Sequence, residues 1–230
     1  GRSIRMAGTV IVLAADDLIK KGKTVAADVL EVAESDVEFL DGQFRVIGTD
    51  RSIDWFELAG RTDAGTLEVI RANEMQTPVF PNGCHICEVE LDPETGATKL
   101  TRYTAIDDVG RAINPMIVHG QTHGAVAQGL GQAMLESCVV DPGTGQVLTG
   151  SLMDYGLPRA ADVPSFNVAL NEVLSPTNPL GIKAGGEGGT TVSPVAYTNA
   201  VLDALKDFGV SDIPMPLTPH RIWRAIRGTA

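Results

Sequence analysis

Basic residues are scarce in this 230-residue chain: 18 Lys and Arg stand against 29 Asp and Glu, a formal net charge of −11. No cationic cluster is available to neutralise phosphates, so neither nucleic acid nor an anionic membrane surface is an expected partner. No uninterrupted apolar run is long enough to span a bilayer. Cysteine is nearly missing as well. Cys84, Cys87 and Cys138 make no disulfide framework and fit a reducing compartment, the cytoplasm. A signal-peptide pattern is not seen, because charges soon interrupt the first apolar stretch. The chain opens Gly1-Arg2-Ser3 without an initiating Met, as expected of a fragment or a processed product. What is abundant is apolar: 43% of residues are hydrophobic, enough for a sizeable core in one large domain or two small ones.

The familiar catalytic signatures are missing too. Cys84-His85-Ile86-Cys87 has the spacing of half a zinc site or a redox pair, but no second half exists, and on a strand the two cysteines point to opposite faces. His119 and His123 sit four apart on an expected helix with no acidic residue of a zinc protease between them. There is no Gly-x-Ser-x-Gly elbow and no phosphate-binding Gly-Lys-Ser/Thr loop. A glycosidase-like pair of Glu187 with Asp154 or Asp162 needs both carboxylates to face one cleft, which spacing alone does not establish.

Local patterns set out the elements. Residues 7–33 have helical apolar spacing, with Val10, Leu13, Ala14, Leu18 and Ile19 on one face and a break or bend expected at Lys20-Lys21-Gly22-Lys23. Residues 37–47 read as a hairpin about Asp41-Gly42, residues 53–60 as a short helix and 61–82 as irregular. A second hairpin runs Cys84–Leu91 and Thr98–Ile106 around Asp92-Pro93-Glu94-Thr95-Gly96. A Gly/Ala-rich helix is expected over 114–136, a turn at 141–145 and a polar connection over 154–164. A strand is expected at 166–174, a helix from Thr190 to Asp207, and a last short helix capped by Thr218 with Pro219 at its first position. Hairpins interspersed with helices imply an α+β fold with mixed sheets.

Two features point to chemistry. Gly181-Ile182-Lys183-Ala184-Gly185-Gly186-Glu187-Gly188-Gly189 places one carboxylate among five glycines just before a helix, where backbone N–H groups are free to meet a polar ligand. By itself the run is equally a glycine-rich turn with an exposed Glu. On the helix over 114–136, Gln121, Ala125, Gln128 and Gln132 share a side, beside Gly120, Gly124, Gly129 and Gly131. Four glycines, each costing roughly 1 kcal/mol against Ala, imply a close neighbour: a planar hydrogen-bonding ligand or another helix.

In order along the chain, Phe80-Pro81-Asn82-Gly83-Cys84-His85, the Glu88–Gly96 hairpin, Asp107–Pro115, Gly120-Gln121-Thr122-His123-Gly124, Gln128–Ala133, Lys183–Gly188 and Pro216–Pro219 resemble the C-terminal part of the large, molybdopterin-binding subunit of molybdenum hydroxylases. That family includes xanthine dehydrogenase, aldehyde oxidase and aerobic carbon monoxide dehydrogenase. The resemblance implies a molybdenum cofactor-binding fold of that type over 1–230, in two sub-lobes at about 1–75 and 76–230. It implies molybdopterin, plain or as the cytosine dinucleotide, carrying molybdenum. Glu187 is then the active-site base, taking a proton from a hydroxyl on the metal, and Gln121 the cofactor-contacting amide. Gln128 belongs to the same amide face, Arg2 and Ser3 fall at a pterin-contacting turn, and Lys183 and Gly186 shape the pocket. No protein side chain is expected to ligate the metal.

The implied partners are the N-terminal part of the same subunit, an iron–sulfur subunit with [2Fe–2S] clusters and an FAD subunit, assembled as a dimer of heterotrimers. Water-derived oxygen would be added to an aldehyde, purine, N-heterocycle or carbon monoxide. The isolated chain would be inactive, because the earlier loops of the family's site are not in it. A noncatalytic scaffold of the same fold is the alternative.

Overall fold

The computed structural model describes residues 2–75 and 77–228. The chain divides into two compact units, Arg2–Pro78 with Asn178–Leu180, and Val79–Thr177 with Gly181 onward.

The N-terminal unit is built on α1 (Ser3–Leu30). The expected break at Lys20–Lys23 does not occur. Gly22 is buried inside a continuous helix, and a Cβ there would lie 2.3 Å from the Phe44 ring. The glycine is therefore a contact point and not a hinge. Glu31 ends α1 in a left-handed conformation. Strands β1 (Val37–Leu40) and β2 (Gln43–Val46) pair antiparallel, with Asp41 and Gly42 both at positive φ in the two-residue turn, as such hairpins require. A third strand, β3 (Ser52–Asp54), pairs with β2, so the helix expected at 53–60 is shorter: α2 is Trp55–Gly60. Asp54 ends the strand and caps α2, its carboxylate accepting from the Phe56 and Glu57 amides. Phe39, Phe44 and Trp55 pack ring against ring with centroids 4.8–5.3 Å apart, over Ala26, Ala27, Val37, Ile53 and Leu58.

The C-terminal unit carries the longer hairpin, β4 (Asn82–Leu91) and β5 (Thr98–Asp108), antiparallel with a register shift at Glu88/Val89. Strand β6 (Asn167–Leu170) adds to β5 in parallel. It is shorter than the expected 166–174 because the chain then turns to bond the end of β5: the Asn171 amide donates to Asp107 O and the Val173 amide to Asp108 Oδ1. Helix α3 (Pro115–Met134) is capped by Asn114, which accepts from the Ile117 amide. Helix α4 (Gly188–Ala204) starts two residues before the expected Thr190, and α5 (Pro219–Ile226) is capped by Thr218 as the sequence implies. Val126, Leu130 and Ala133 of α3, Tyr197 and Val201 of α4, and Leu100, Tyr103 and Ala105 of β5 form its core, closed by Leu217 and Ile222. One sheet is antiparallel and the other mixed, each packed by helices. This is the expected α+β arrangement.

Candidate functional site

Helices α3 and α4 touch at glycines. A Cβ on Gly189 would come within 2.8 Å of Ala125 Cβ and 2.9 Å of Val126 N, and one on Gly129 within 2.1 Å of Ser193 Oγ. Thr190 Oγ1 donates to Ala125 O across the same seam (3.1 Å). The glycines of α3 thus divide by role. Gly129 serves helix packing and Gly131 packs near Pro158, whereas Gly120 and Gly124 face open space. Ala125 is buried in the seam, while Gln121, Gln128 and Gln132 are exposed beside it. The glutamine row is an exposed amide edge along the seam, with bulk removed at Gly120 and Gly124.

Glu187 occupies the N-cap of α4, with its side chain not used as a cap, and its carbonyl accepts from the Thr191 amide. The first-turn dipole of the helix favours an anion at this end. None of Gly185, Gly186, Gly188 and Gly189 has positive φ; only Gly181 in the run does. Close approach explains two of them: Gly185 packs on Val109 and Gly189 on α3, whereas Gly186 and Gly188 meet nothing within 4 Å.

The approach to Glu187 is fixed by Lys183, which pairs with Asp108 as a largely buried ion pair. Asp108 Oδ1 also accepts from the Gly110 amide (2.9 Å) and the Val173 amide (3.0 Å). Burial pushes the Asp108 carboxyl up, but the Lys183 hydrogen bond and the two amides outweigh it and hold it below the ordinary carboxylate range. The Lys183 amide donates to Val109 O and the Arg111 amide to Gly181 O, so this loop is laced to the end of β5. Lys183 therefore anchors the glycine loop from behind and does not line the cavity in front of it.

That cavity, about 270 Å³, is lined by Glu187, Gly185, Gly188, Thr191 and Val192 from the loop and α4, and by Pro81, Asn82, Gly83, His85, Asp107 and Val109 from the hairpin. His85 and Asp107 are residues the sequence reading did not single out. Asp107 as a carboxylate only accepts, so His85 Nε2–H donates to its Oδ1 (3.0 Å) and the Tyr103 hydroxyl donates to His85 Nδ1 (2.8 Å). Thr122 Oγ1 donates to Asp107 Oδ2 (3.2 Å). Burial raises Tyr103 well above the usual phenol range, so it stays a neutral donor. The signal available in the sequence was period two: His85 and Asp107 lie opposite Ala105 and Gly83, on inward positions of a paired hairpin.

The remaining candidates are placed elsewhere. Arg2 and Ser3 are exposed at the start of α1 in the other unit. Gly186 is exposed at the loop tip. Cys84 is exposed on β4, while Cys87 is turned toward the core, its thiol pushed up to about 12 chiefly by burial. No three His, Cys, Asp or Glu residues form a metal-binding group among the described residues. His123 bonds the carbonyl of His119. The carboxylate pairing with Asp154 or Asp162 fails: Asp154 accepts from Ser151 and Asp162 from the Arg159 amide, and neither lines the cavity. No helix is long and apolar enough to cross a membrane among the described residues.

Residues 1–164 match the family model of a molybdopterin cofactor-binding domain, which stops short of Glu187. Similarity to whole proteins extends past it. The chain is 35% identical to the carbon monoxide dehydrogenase large chain of Hydrogenophaga pseudoflava, over 98% of this chain and 29% of that protein. It is 35% identical to the nicotine 6-hydroxylase large subunit of Paenarthrobacter nicotinovorans, over 99% of this chain and 29% of that subunit. Among solved structures, the carbon monoxide dehydrogenase of Oligotropha carboxidovorans superposes with a TM-score of 0.89 at 32% identity, covering 99% of this chain and 29% of that one. The chain thus spans somewhat under a third of the length of these relatives.

Proposed function

This chain belongs to the molybdopterin cofactor-binding domain family, and on that premise we propose that residues 1–230 are the C-terminal portion of the molybdopterin-binding subunit of a molybdenum hydroxylase, with Glu187 as its active-site base. The observation that carries the proposal is the position of Glu187: a carboxylate at a helix N-cap, lining a cavity, between two glycines with open space around them.

The residues present fit the cofactor. A pterin presents a planar array of donors and acceptors that must be satisfied once buried. Gln121 and Gln128 offer exposed amides on one edge of α3, and Gly120 and Gly124 leave room for a flat group to approach the helix. Those two amides, with Gly186 at the loop tip, would hold it. When bound, molybdopterin with molybdenum would supply oxygen transfer and two-electron redox chemistry, for which [2Fe–2S] clusters and FAD on partner subunits would be the electron acceptors.

This chain's own contribution is the handling of a proton. The Glu187 carboxylate accepts it, a role that demands an anionic group held at fixed distance. The Lys183–Asp108 pair fixes the loop, the Gly185–Val109 contact sets its depth, and the first turn of α4 supports the charge. The substrate class is an aldehyde, purine, N-heterocycle or carbon monoxide, oxidised with oxygen from water in the cytoplasm. The N-terminal part of the subunit completes the site, in a dimer of heterotrimers.

Glu187→Gln in the complete enzyme tests this reading. The expected result is a loss of turnover of about 10³-fold, within the usual range for removal of a general base, with molybdenum content unchanged. Near-normal turnover would remove Glu187 as base and leave a noncatalytic scaffold as the better account.

A further inference from the structure

The floor of the Glu187 cavity carries a buried polar chain that the proton-transfer role does not use. It links three elements: Tyr103 on β5 to His85 on β4, His85 to Asp107 at the end of β5, and Asp107 to Thr122 on α3. The His85 side chain is 1% exposed and that of Asp107 is 11% exposed. A Cβ on Gly83 would sit 2.7 Å from Asp107 Oδ1, so a glycine on the neighbouring strand makes the space this carboxylate occupies. Both Asp107 oxygens are used, one by the imidazole and the other by the threonine hydroxyl.

Thr122 is the residue after Gln121. It is also the first buried residue of α3; the helix before it, from Pro115, shows no buried side chain. Met116 and Ile117 are exposed there, and two open glycines, Gly120 and Gly124, flank the Gln121–Thr122 pair. Glycine weakens a helix, so this turn is the part of α3 least able to hold its own orientation. One turn on, the backbone from Thr122 to Val126 receives the start of α4: Gly189 packs against Thr122 O, Ala125 Cβ and Val126 N, two residues beyond Glu187. The hydroxyl of Thr122, held by Asp107, thus ties α3 to β5 at the point where the first turn of α4 packs against it.

We propose that Asp107, oriented by His85, is a positioning residue: through its hydrogen bond from Thr122 it sets the direction of the Gln121 amide, and so the hold of this domain on its pterin. This rests on the reading of Gln121 as a cofactor-contacting residue. Helix side chains one position apart project about 100° from each other, so anchoring Thr122 inward turns Gln121 outward onto the exposed edge. Without the anchor the amide has a range of directions, and a ligand that binds must first select one.

The test uses the complete enzyme loaded with cofactor and compares Thr122→Val, which keeps the shape and loses the donor, with Thr122→Ser, which keeps the donor. Molybdenum remaining per subunit is followed after dilution and gel filtration, beside the melting temperature of each variant and of Gln121→Ala. Thr122→Val is expected to release molybdenum about tenfold faster, the effect of one lost hydrogen bond to a charged group, while Thr122→Ser retains it like the parent enzyme. Retention by Thr122→Val equal to the parent, with Gln121→Ala impaired, would overturn the positioning role alone. Equal loss in the Val and Ser variants, with matching falls in melting temperature, would also overturn it, since packing and not the hydroxyl would then be at work. Full retention by Gln121→Ala would instead remove the reading of Gln121 on which the inference stands.

Discussion

Asp108 and Lys183 show how a residue can matter to a site without facing it. The sequence marks Lys183 by its place four residues before Glu187, and the structure puts its ammonium behind the loop, on Asp108. The folded-state carboxyl of Asp108 is depressed. Its stabilisation is therefore complete above the ordinary carboxylate value, about 4, and is lost as pH falls through the lower folded value. Asp108→Asn leaves a largely buried ammonium unpaired, which costs about 3 kcal/mol. Urea unfolding at pH 7 should show that loss, and the gap between variant and parent should narrow in strong acid, where the parent carboxylate is itself protonated. Glu187 was legible because it is the one acid inside a glycine run. Strand alternation could put His85 and Asp107 on inward positions, but not pair them, since that depends on which strand positions face one another across a turn.

At the scale of elements, glycine carries opposite meanings along a single helix. Gly129 of α3 is a packing residue, and Gly129→Ala should destabilise by about 1–3 kcal/mol, the usual cost of overpacking, because the new methyl would meet Ser193 Oγ and Pro194 Cδ. Gly124 has open space. Gly124→Ala should stabilise the cofactor-free chain by about 1 kcal/mol of helix propensity, seen as a higher melting temperature, and should lower molybdenum occupancy of the complete enzyme if a planar group lies against that turn. Thermal unfolding and metal analysis on the same preparations separate the two effects. In α1, Gly22 looks like a break among lysines and is instead the seat of Phe44. Helix period and strand alternation gave the elements because they are local. They could not distinguish a glycine that admits a neighbouring helix from one that admits a ligand, because both thin the same helix.

For the molecule as a whole, the decisive quantity is coverage. The chain spans 29% of the length of its relatives, and Met116, Leu152 and Met153 are strongly exposed in it. The isolated chain is therefore expected to show no dye-linked oxidation and no stoichiometric molybdenum, and both should appear when it is co-expressed with the N-terminal part of its subunit. Stoichiometric metal and full turnover by residues 1–230 alone would refute the shared-site proposal.

The order of motifs from Phe80 to Pro219 by itself determined the family, the α+β class and the singular status of Glu187, because each is a matter of residue type and spacing along the chain. The tertiary structure alone decided which partners those residues have. It brought Asp107 to Thr122, turned Lys183 onto Asp108, and sorted the glycines of α3 into packed and open. Such pairings join positions 15 to 75 residues apart, and no local propensity records a contact made only when β5, α3 and the Gly181–Gly189 loop close on one another.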